Sequence, residues 1–401
     1  TRDRPFPLRH GAAPMSTAQE LADGFRERFG RAPSGVWSAP GRFNLVGEHT
    51  DYNGGFCLPV PLDRRTWVAA APRDDERLRM VSLDVPGEVD VRLDEVTAYR
   101  PGGWGAYAAG VLWALRRAGL PVRGVDMLIG SDLLIGAGLS SSAALECSVA
   151  AAASDLFGLG LLADDAGRAA LAVHCQTAEN EIAQAPTGGV DQTSALRGVK
   201  GHALLIDFLN RTLRPVPYDP ASAGVGVLIL DTRTRHSLSA GHFGDRHAEC
   251  DRAAVLLGVD LLRRVGVDEL PDAEARLDDV LFRRLRHVVT ENARAVRMAD
   301  DLEAGDWRAV ADGMTAAHVS MRDDLEVSVP QIDLAVETAI GAGAWGARLV
   351  GGGFGGCVMA VVPLDLVGGV AGAVDRAFAA AGYDAPDGFL ATAGSPAGRD
   401  L

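Results

Sequence analysis

The densest group of chemically active residue types lies near the start of the chain, in residues 39–55. Arg42, Glu48, His49 and Asp51 stand there among small and apolar residues. Carboxylates and an imidazole can bind the hydroxyl groups of a polyhydroxylated ligand, and a guanidinium can stabilise a phosphoryl group in transfer. Glycines at positions 41, 47, 54 and 55 let the backbone turn or approach a ligand closely. The segment predicts a ligand site, with a polar loop after a strand as the structural alternative.

A second segment, Gly136-Ala-Gly-Leu-Ser-Ser-Ser142, lies between a predicted strand at Val125–Ile129 and an Ala-rich helix that extends to about Phe157. Backbone N–H groups and the positive end of a helix bind phosphate at such a position, and serine hydroxyls can add donors or a Mg²⁺ ligand. The sequence contains no G-x-x-x-x-G-K-[ST], so this is not a Walker P-loop. A serine-capped helix after a tight turn is the structural alternative.

A third segment, Gly351-Gly-Gly-Phe-Gly-Gly356, formally contains G-x-G-x-x-G. A dinucleotide-binding site needs a helix after these glycines, whereas the apolar β-type run Cys357–Val362 follows here. We therefore reject the dinucleotide interpretation and predict a hairpin that joins Ala347–Val350 to Cys357–Val362. Its backbone either lies against a substrate or binds nothing.

Two acids outside these segments can also do chemistry. Asp191 follows the glycine turn of Pro186–Gln192, where it points into a cleft or simply forms the turn. Glu179 lies on a helix among small and apolar residues, and is either a Mg²⁺ ligand paired with a serine or a solvent-facing carboxylate. The histidines form no H-x-x-x-H or H-E-x-x-H pair, so zinc is not expected.

Composition limits the class of protein. A chain of 401 residues predicts two lobes with the active site in the cleft between them. The charge of −14, from 39 basic and 53 acidic residues, argues against a nucleic-acid partner. The chain has no run of 18 apolar residues, so no membrane span is predicted. Its five scattered cysteines are expected to be buried free thiols. We expect a cytoplasmic protein that is a monomer.

The predicted elements belong to an α+β fold. Residues 1–14 are expected to be a disordered lead-in, with Met15 as a natural start and a helix capped by Thr17 that carries Leu21, Phe25 and Phe29. Residues 15–200 are predicted to form an N-terminal lobe with the first two motifs, and residues 201–401 a C-terminal lobe with the third. The strands at 67–71 and 78–82 suggest a meander. Helices are predicted near 105–119, 142–157, 164–182, 245–264, 279–300, 307–322 and 330–343.

The three motifs occur in the order and at the approximate spacing typical of the galactose–homoserine–mevalonate–phosphomevalonate (GHMP) kinases. Within that superfamily, Gly41-Arg-Phe-Asn-Leu-Val-Gly-Glu-His-Thr-Asp-Tyr-Asn53 resembles the galactokinase signature. Gly138–Ala143 resembles the second motif of the family and Gly351–Cys357 the third. Further segments that follow the galactokinase pattern are Ala178–Asn180, Pro186–Gln192, Arg235–Ser237 and Arg286–Asn292.

This resemblance implies a role for individual residues. Asp191 corresponds to the catalytic base and Arg42 to the residue that stabilises the transition state. Ser142 and Glu179 match the magnesium positions. The sugar-binding positions fall on Glu48, His49, Thr50, Asp51, Gly188 and Phe243. The ATP-binding positions fall on Gly136, Ala137, Gly138, Leu139, Ser140, Ser141, Ser142 and Trp104. Trp104 and its neighbour Tyr107 could equally be core aromatics of a helix face.

The resemblance also implies a two-lobed GHMP-kinase-type fold and the phosphorylation of D-galactose at O1, with galactose, ATP and Mg²⁺ as the small-molecule partners. A kinase for N-acetylgalactosamine or arabinose is the nearest alternative. A non-catalytic sensor of galactose and ATP is the alternative from another class, although Ser140–Ala143 is intact here. Phe243 stands where the family usually presents a tyrosine to the sugar, which leaves the fine sugar preference open.

Overall fold

The computed structural model describes residues 18–234 and 239–401, with side chains from Phe243 onward after the gap. The predicted lead-in at 1–14, the Thr17 cap and Arg235–Ser237 lie outside the described residues. The helices are α1 Ala18–Phe29, α2 Trp104–Arg117, α3 Ser141–Leu156, α4 Asp165–Ala178, α5 Val190–Arg197, α6 Ser239–Leu257, α7 Leu270–Glu274, α8 Asp279–Glu303, α9 Trp307–Asp323, α10 Pro330–Gly341 and α11 Val367–Ala381. The strands are β1 Gly35–Asn44, β2 Phe56–Cys57, β3 Pro59–Pro72, β4 Arg77–Ser82, β5 Glu88–Arg92, β6 Val125–Ser131, β7 His202–Asp207, β8 Thr212–Pro217, β9 Val225–Asp231, β10 Gly346–Leu349, β11 Cys357–Pro363, β12 Asp387–Ala391 and β13 Gly398–Arg399.

The first sheet has the strand order β13-β1-β3-β6-β4-β5. Successive side chains of β3 point to opposite faces of this sheet, as the pleat requires. Val68 and Ala70 pack with the apolar residues of α2, α3 and α4. Ala69 and Ala71 pack against Leu21 and Phe25 of α1 on the other face. The apolar spacing of α1 predicted this buried side of the helix.

A four-stranded antiparallel sheet, β10-β11-β9-β12, organises the second half of the chain. Helices α10 and α11 cover one of its faces, while side chains of α8 and α9 join the first motif on the other. A small sheet, β2-β7-β8, brings the strand after the first motif next to residues 202–207. The last strand, β13, pairs with β1. The lobe boundary at residue 200 stays a prediction.

The α+β class and the hairpin of the third motif are confirmed, since β10 and β11 pair antiparallel on either side of the glycine-rich turn. A helix lies at each predicted place, but the one predicted near 245–264 ends at Leu257, and Leu262–Arg264 form a separate 3₁₀ turn. The predicted meander is wrong because β6 lies between β3 and β4. β4 and β6 pair in parallel, and such a pair needs a long crossover, which β5 and α2 provide. The first motif follows β1 of the first sheet, whereas the third motif joins β10 to β11 of the four-stranded sheet.

No helix in the two described stretches is both long and apolar enough to cross a membrane. All five cysteines are buried and free, as their sequence context indicates.

Candidate active site

A polar cavity of about 290 Å³ opens where the three glycine-rich motifs meet the turn before α5. Its volume lies at the lower end of the range for small-molecule sites. The predicted residues that line it are Arg42, Glu48, His49, Asp51, Gly136, Gly138, Ser140, Ser141, Ser142, Glu179, Asp191, Phe243, Gly351 and Gly352. Segments more than 300 residues apart in the sequence therefore form one site.

Arg42 reaches the cavity through an irregularity in its strand. The pairing of β1 with β3 shifts register between Pro40 and Arg42, which turns the arginine out of the regular alternation. Its Nη1 donates to the carbonyl of Gly138 at 2.7 Å, and its Nη2 lies 2.8 Å from Oδ1 of Asp191. Burial lowers the pKa of Arg42, but Asp191, Glu48 and Asp51 raise it by more, so the side chain stays a cation.

Asp191 lies in the first turn of α5 and not in the preceding turn. Gly189, at φ +96°, provides the backbone conformation that starts this helix. Oδ2 of Asp191 accepts a hydrogen bond of 2.6 Å from the hydroxyl of Ser140. Ser140 itself has φ +58°, a conformation that non-glycine residues adopt at a cost and that is concentrated at functional sites. The carboxylate is thus held between Arg42 and residues 136–142, the predicted phosphate loop.

Glu48 and His49 join the first motif to the third. Oε1 of Glu48 accepts from the backbone N–H of Gly351 at 2.8 Å. Nε2 of His49 lies 3.0 Å from the carbonyl of Gly352, so this nitrogen must carry the proton, and Nδ1 accepts from the hydroxyl of Tyr52 at 2.8 Å. Burial lowers the pKa of His49 to about 3, and the ring is neutral near pH 7.

Asp51 lies against the backbone of Gly188. A Cβ atom at position 188 would approach Oδ2 of Asp51 to 2.2 Å, so the carboxylate requires glycine there. Burial raises the pKa of Asp51 to about 6, and the charges of Asp191 and Glu48 add to this shift. Thr50 is fully buried and does not line the cavity. Its hydroxyl is bonded within the motif, where it lies 2.7 Å from the carbonyl of Phe56.

Phe243 of α6 forms an apolar wall of the cavity. Its ring centroid lies 4.9 Å from that of His49 and 5.7 Å from that of Tyr52, which meets it edge-on. A Cβ atom on Gly352 would lie only 3.2 Å from Cδ2 of Phe243. The ring fills the space between the first and third motifs without bringing a hydroxyl group to it.

A second cavity, of about 320 Å³, begins at the phosphate loop and shares Gly136, Ser141 and Ser142 with the first. Trp104 and Tyr107 of α2 line it. The two aromatic residues are therefore neither solvent-exposed nor simply core residues. By contrast, the side chains of Ala137 and Leu139 pack into the hydrophobic core, so only their backbone belongs to the loop.

Glu179 is buried at the first residue of a π-helical turn that continues α4. Burial raises the pKa of its carboxylate to about 7, with a further contribution from the charge of Asp191, while the neighbouring Ser142 hydroxyl and Gln192 amide lower it. In residues 18–234 and 239–401, no group of three or more His, Cys, Asp or Glu side chains is placed to hold a metal. A hydroxyl and a carboxylate fit Mg²⁺, which binds through one or two carboxylates and completes its shell with phosphate and water.

The site also depends on Glu291 and Asn292, whose segment follows the galactokinase pattern but was given no role, and on Arg348, which the sequence interpretation did not single out. Glu291 of α8 accepts from the N–H of Gly47 at 2.9 Å, and Asn292 accepts from the N–H of Phe56 at 2.8 Å. Arg348 is fully buried and donates to the carbonyl of Leu45 at 2.9 Å. Its position as a lone arginine in an apolar strand before the third motif was a usable signal.

Models of known protein families match three parts of the chain. Residues 23–72 match the model of the galactokinase galactose-binding signature, residues 106–199 that of the GHMP kinase N-terminal domain and residues 298–380 that of the GHMP kinase C-terminal region. The galactokinase of Streptomyces coelicolor is 45% identical over 96% of this chain and 99% of its own length. The chain belongs to the galactokinase family. The galactokinase of Mycobacterium tuberculosis is 47% identical over 87% of this chain and 95% of its own.

The solved structures that resemble this chain are consistent with its membership of the galactokinase family. The crystal structure of Lactococcus lactis galactokinase complexed with galactose matches with a TM-score of 0.89 and 30% identity, over 95% of this chain and 99% of that one. The mevalonate kinase of Methanococcus jannaschii, at 17% identity, matches with a TM-score of 0.63 over 89% of this chain and 98% of that one. That second likeness shows the shared GHMP-kinase fold.

The matched ranges contain most of the candidate site described above. The galactose-binding signature includes Arg42, Glu48, His49 and Asp51. The N-terminal domain includes the phosphate loop, Glu179 and Asp191. Phe243 lies outside all three ranges. Its place in this galactokinase site rests on its position in the cavity.

Proposed function

We propose that this protein transfers the γ-phosphoryl group of ATP to O1 of D-galactose. The observation that carries the proposal is the position of Asp191, Arg42 and Ser140. These side chains are in contact with one another at the point where a hydroxyl-binding cavity meets the phosphate loop. The curated relatives with 45–47% identity are galactokinases, and the L. lactis galactokinase holds galactose.

The sugar occupies the first cavity. Asp51 accepts hydrogen bonds from its hydroxyl groups, and the absence of a side chain on Gly188 leaves room beside that carboxylate. Each oxygen of Glu48 can accept a second hydrogen bond in addition to the one that it has. His49, with both ring nitrogens bonded inside the protein, shapes the wall together with Phe243. O1 of the sugar is then directed towards Asp191.

The nucleotide occupies the second cavity, with its base near Trp104 and its phosphates at residues 136–142. Backbone N–H groups and the N-terminus of α3 face the phosphates. Ser142 and Glu179 would hold Mg²⁺, which supplies positive charge to the β- and γ-phosphates during transfer. Burial raises the pKa of Glu179, and a cation bound there would favour the charged form of this carboxylate.

Asp191 accepts the hydrogen bond of O1–H and takes the proton as the bond from O1 to phosphorus forms and the bond from phosphorus to the ADP oxygen breaks. In a loose phosphoryl transition state the proton leaves late, so Asp191 contributes largely by orienting the hydroxyl. Arg42 offsets the negative charge on both Asp191 and the phosphoryl group.

The decisive experiment is a coupled ADP-release assay with galactose, glucose, N-acetylgalactosamine and arabinose in the presence of ATP and Mg²⁺. We expect the highest kcat/KM with galactose. Asp191→Asn is the matched control, since the amide keeps the shape of the side chain and loses the proton acceptor. We expect its kcat to fall by ~10²–10⁴-fold while calorimetric galactose binding persists.

Other results would replace the proposal with a defined alternative. Higher kcat/KM with another sugar would indicate a related sugar kinase, which is the point left open by Phe243. Binding of galactose and ATP without turnover would indicate a sensor. Normal turnover by Asp191→Asn would contradict the role given to that carboxylate.

A further inference from the structure

A buried polar network lies behind residues 136–142, and of its three side chains only that of Glu179 lines a cavity, while Glu146 and Gln192 line neither. Glu146 of α3 and Gln192 of α5 are completely buried. Nε2 of Gln192 donates to Oε2 of Glu146 at 2.9 Å and to Oε2 of Glu179 at 2.6 Å. One side-chain amide therefore joins two buried acids, and burial raises the pKa of both.

Chemistry fixes the orientation of this amide. Its nitrogen carries two hydrogens, and both are used by carboxylate oxygens. The reverse orientation would place the carbonyl oxygen of Gln192 against both carboxylates. Within the described part of the chain, Oε1 of Gln192 and Oε1 of Glu146 have no hydrogen-bond partner. A buried, unpaired polar atom costs about 1–3 kcal/mol, so this network stabilises the fold less than apolar side chains could.

The network connects the three elements that carry the transfer chemistry. Glu146 lies one turn after Ser142 on α3. Gln192 directly follows Asp191 in the first turn of α5. Glu179 is the first residue of a π-helical turn, which is an irregular segment. Among the described residues, no arginine or lysine lies within ion-pair distance of the Glu179 carboxylate. The hydrogen bond from Gln192 therefore holds the Glu179 carboxylate on the side where Ser142 lies.

We propose that Glu146 and Gln192 are positioning residues for phosphoryl transfer. The acceptor oxygen of Glu146 holds the Gln192 amide in one orientation, and this amide in turn directs Glu179 towards Ser142 at the magnesium position. The inference rests on the proposed function, because it concerns the binding of magnesium-loaded ATP. Neither residue touches the sugar cavity, so galactose binding is independent of them.

The test measures calorimetric binding of a non-hydrolysable ATP analogue, with Mg²⁺ and with EDTA. In Glu146→Leu the acceptor is lost, and we expect affinity for the Mg²⁺ complex to fall by about 10-fold, at the lower end of the effect of outer-shell partners of metal ligands. Affinity for the metal-free analogue and for galactose stays unchanged. Glu146→Gln keeps an acceptor oxygen and restores affinity to within about twofold.

Ser148→Ala is the matched control on the same helix, because its buried hydroxyl bonds only the carbonyl of Leu145 at 2.8 Å among the described residues. We expect no change in its affinity for the Mg²⁺ complex. Gln192→Leu, which removes the amide and leaves both acids, should reproduce the loss seen in Glu146→Leu and provides the test if that variant does not fold. In both variants, KM for magnesium-loaded ATP rises and KM for galactose does not.

Three results would overturn the inference. Glu146→Leu could bind the Mg²⁺ complex as tightly as the wild type, or it could lose affinity for galactose and the metal-free analogue to the same extent. Glu146→Gln could be as weak as Glu146→Leu, which would assign the effect to charge and not to an acceptor. A wild-type protein that binds the Mg²⁺ complex and does not phosphorylate galactose would contradict the proposed function alone.

Discussion

At the scale of single residues, the site is built from acids that differ in their surroundings. Asp191 is paired with Arg42, whereas burial raises the pKa of Asp51 and Glu179, and neighbouring carboxylates add to both shifts. Residue types and motif spacing predicted all three acids. Sequence could not predict that Thr50 points away from the cavity or that both nitrogens of His49 are bonded inside the protein, because these features depend on backbone conformations such as φ +60° at His49.

The pH dependence of galactose use should come from Asp51. Its pKa of about 6 means that the carboxylate becomes protonated as the pH falls through that value and loses its charge as an acceptor for sugar hydroxyls. With magnesium-loaded ATP saturating, we expect kcat/KM for galactose to be constant above about pH 7 and to fall below about pH 6. This profile is measured by initial rates in a constant-ionic-strength buffer series.

Two variants test whether Asp51 or His49 causes the fall in kcat/KM at low pH, which is the acidic limb of the profile. A histidine would ordinarily explain such a limb. Asp51→Asn has lower activity but should lose the acidic limb. His49→Gln should keep it, because the pKa of His49 is already lowered to about 3 by burial. Disappearance of the limb in His49→Gln and its persistence in Asp51→Asn would show that the assignment is wrong.

At the scale of elements, the sequence predicted those helices and strands whose apolar period was regular. The π-helical turn at 179–183, the register shift in β1 and the parallel pairing of β4 with β6 could not be predicted. Each of them is a departure from a regular period or a long-range pairing, and only packing of the whole chain decides it. The π-helical turn nevertheless positions Glu179, and the register shift positions Arg42.

The two glycine-rich segments pack backbone to backbone, which predicts an effect of Gly351→Ala. Gly351 has φ +82°, and a Cβ atom there would lie 3.0 Å from the carbonyl oxygen of Gly138 in the phosphate loop. The left-handed conformation alone costs an alanine roughly 1–2 kcal/mol, and the contacted backbone has little room to move. We expect KM to rise several-fold for both ATP and galactose, since Gly351 also donates to Glu48.

Gly368→Ala is the control for this substitution. It lies in α11 with no atom within 4 Å of an added Cβ, so alanine should leave both KM values unchanged and stabilise the helix by up to about 1 kcal/mol. Steady-state kinetics and thermal unfolding of both variants provide the comparison. Wild-type KM values in Gly351→Ala would show that the phosphate loop does not depend on this contact.

At the scale of the whole molecule, a buried charged cluster ties the C-terminal half of the chain to the sugar-binding motif. Glu291 bonds Gly47, ion-pairs with Arg294 at 2.8 Å and lies 3.9 Å from Arg348. Arg348 in turn lies 3.3 Å from Glu48. Helix α8, strand β10 and the first motif are thus held by one set of charges, so folding of the C-terminal half completes the sugar pocket.

Glu291→Gln should therefore lower both stability and galactose affinity. Burial tends to raise the pKa of Glu291, but Arg294, His287 and Arg348 together lower it to about 2. An acid with a lowered pKa stabilises the fold above its unfolded pKa of ~4.3, and this contribution is lost as the pH falls towards the folded value. Loss of one partner of a buried ion pair costs about 3 kcal/mol, which corresponds to a thermal midpoint lower by on the order of 5 °C.

The pH dependence and a second glutamate on α8 make this prediction specific. The difference in thermal midpoint between wild type and Glu291→Gln should be the same at about pH 7 and about pH 5, and smaller at about pH 4, where the unfolded carboxylate is largely protonated. Glu303→Gln changes the same residue type in an exposed pair with Arg214, and such pairs contribute about 0–1 kcal/mol. If both variants had the same small effect at every pH, the cluster would add nothing to stability, and preorganisation of the sugar motif would have to come from backbone packing alone.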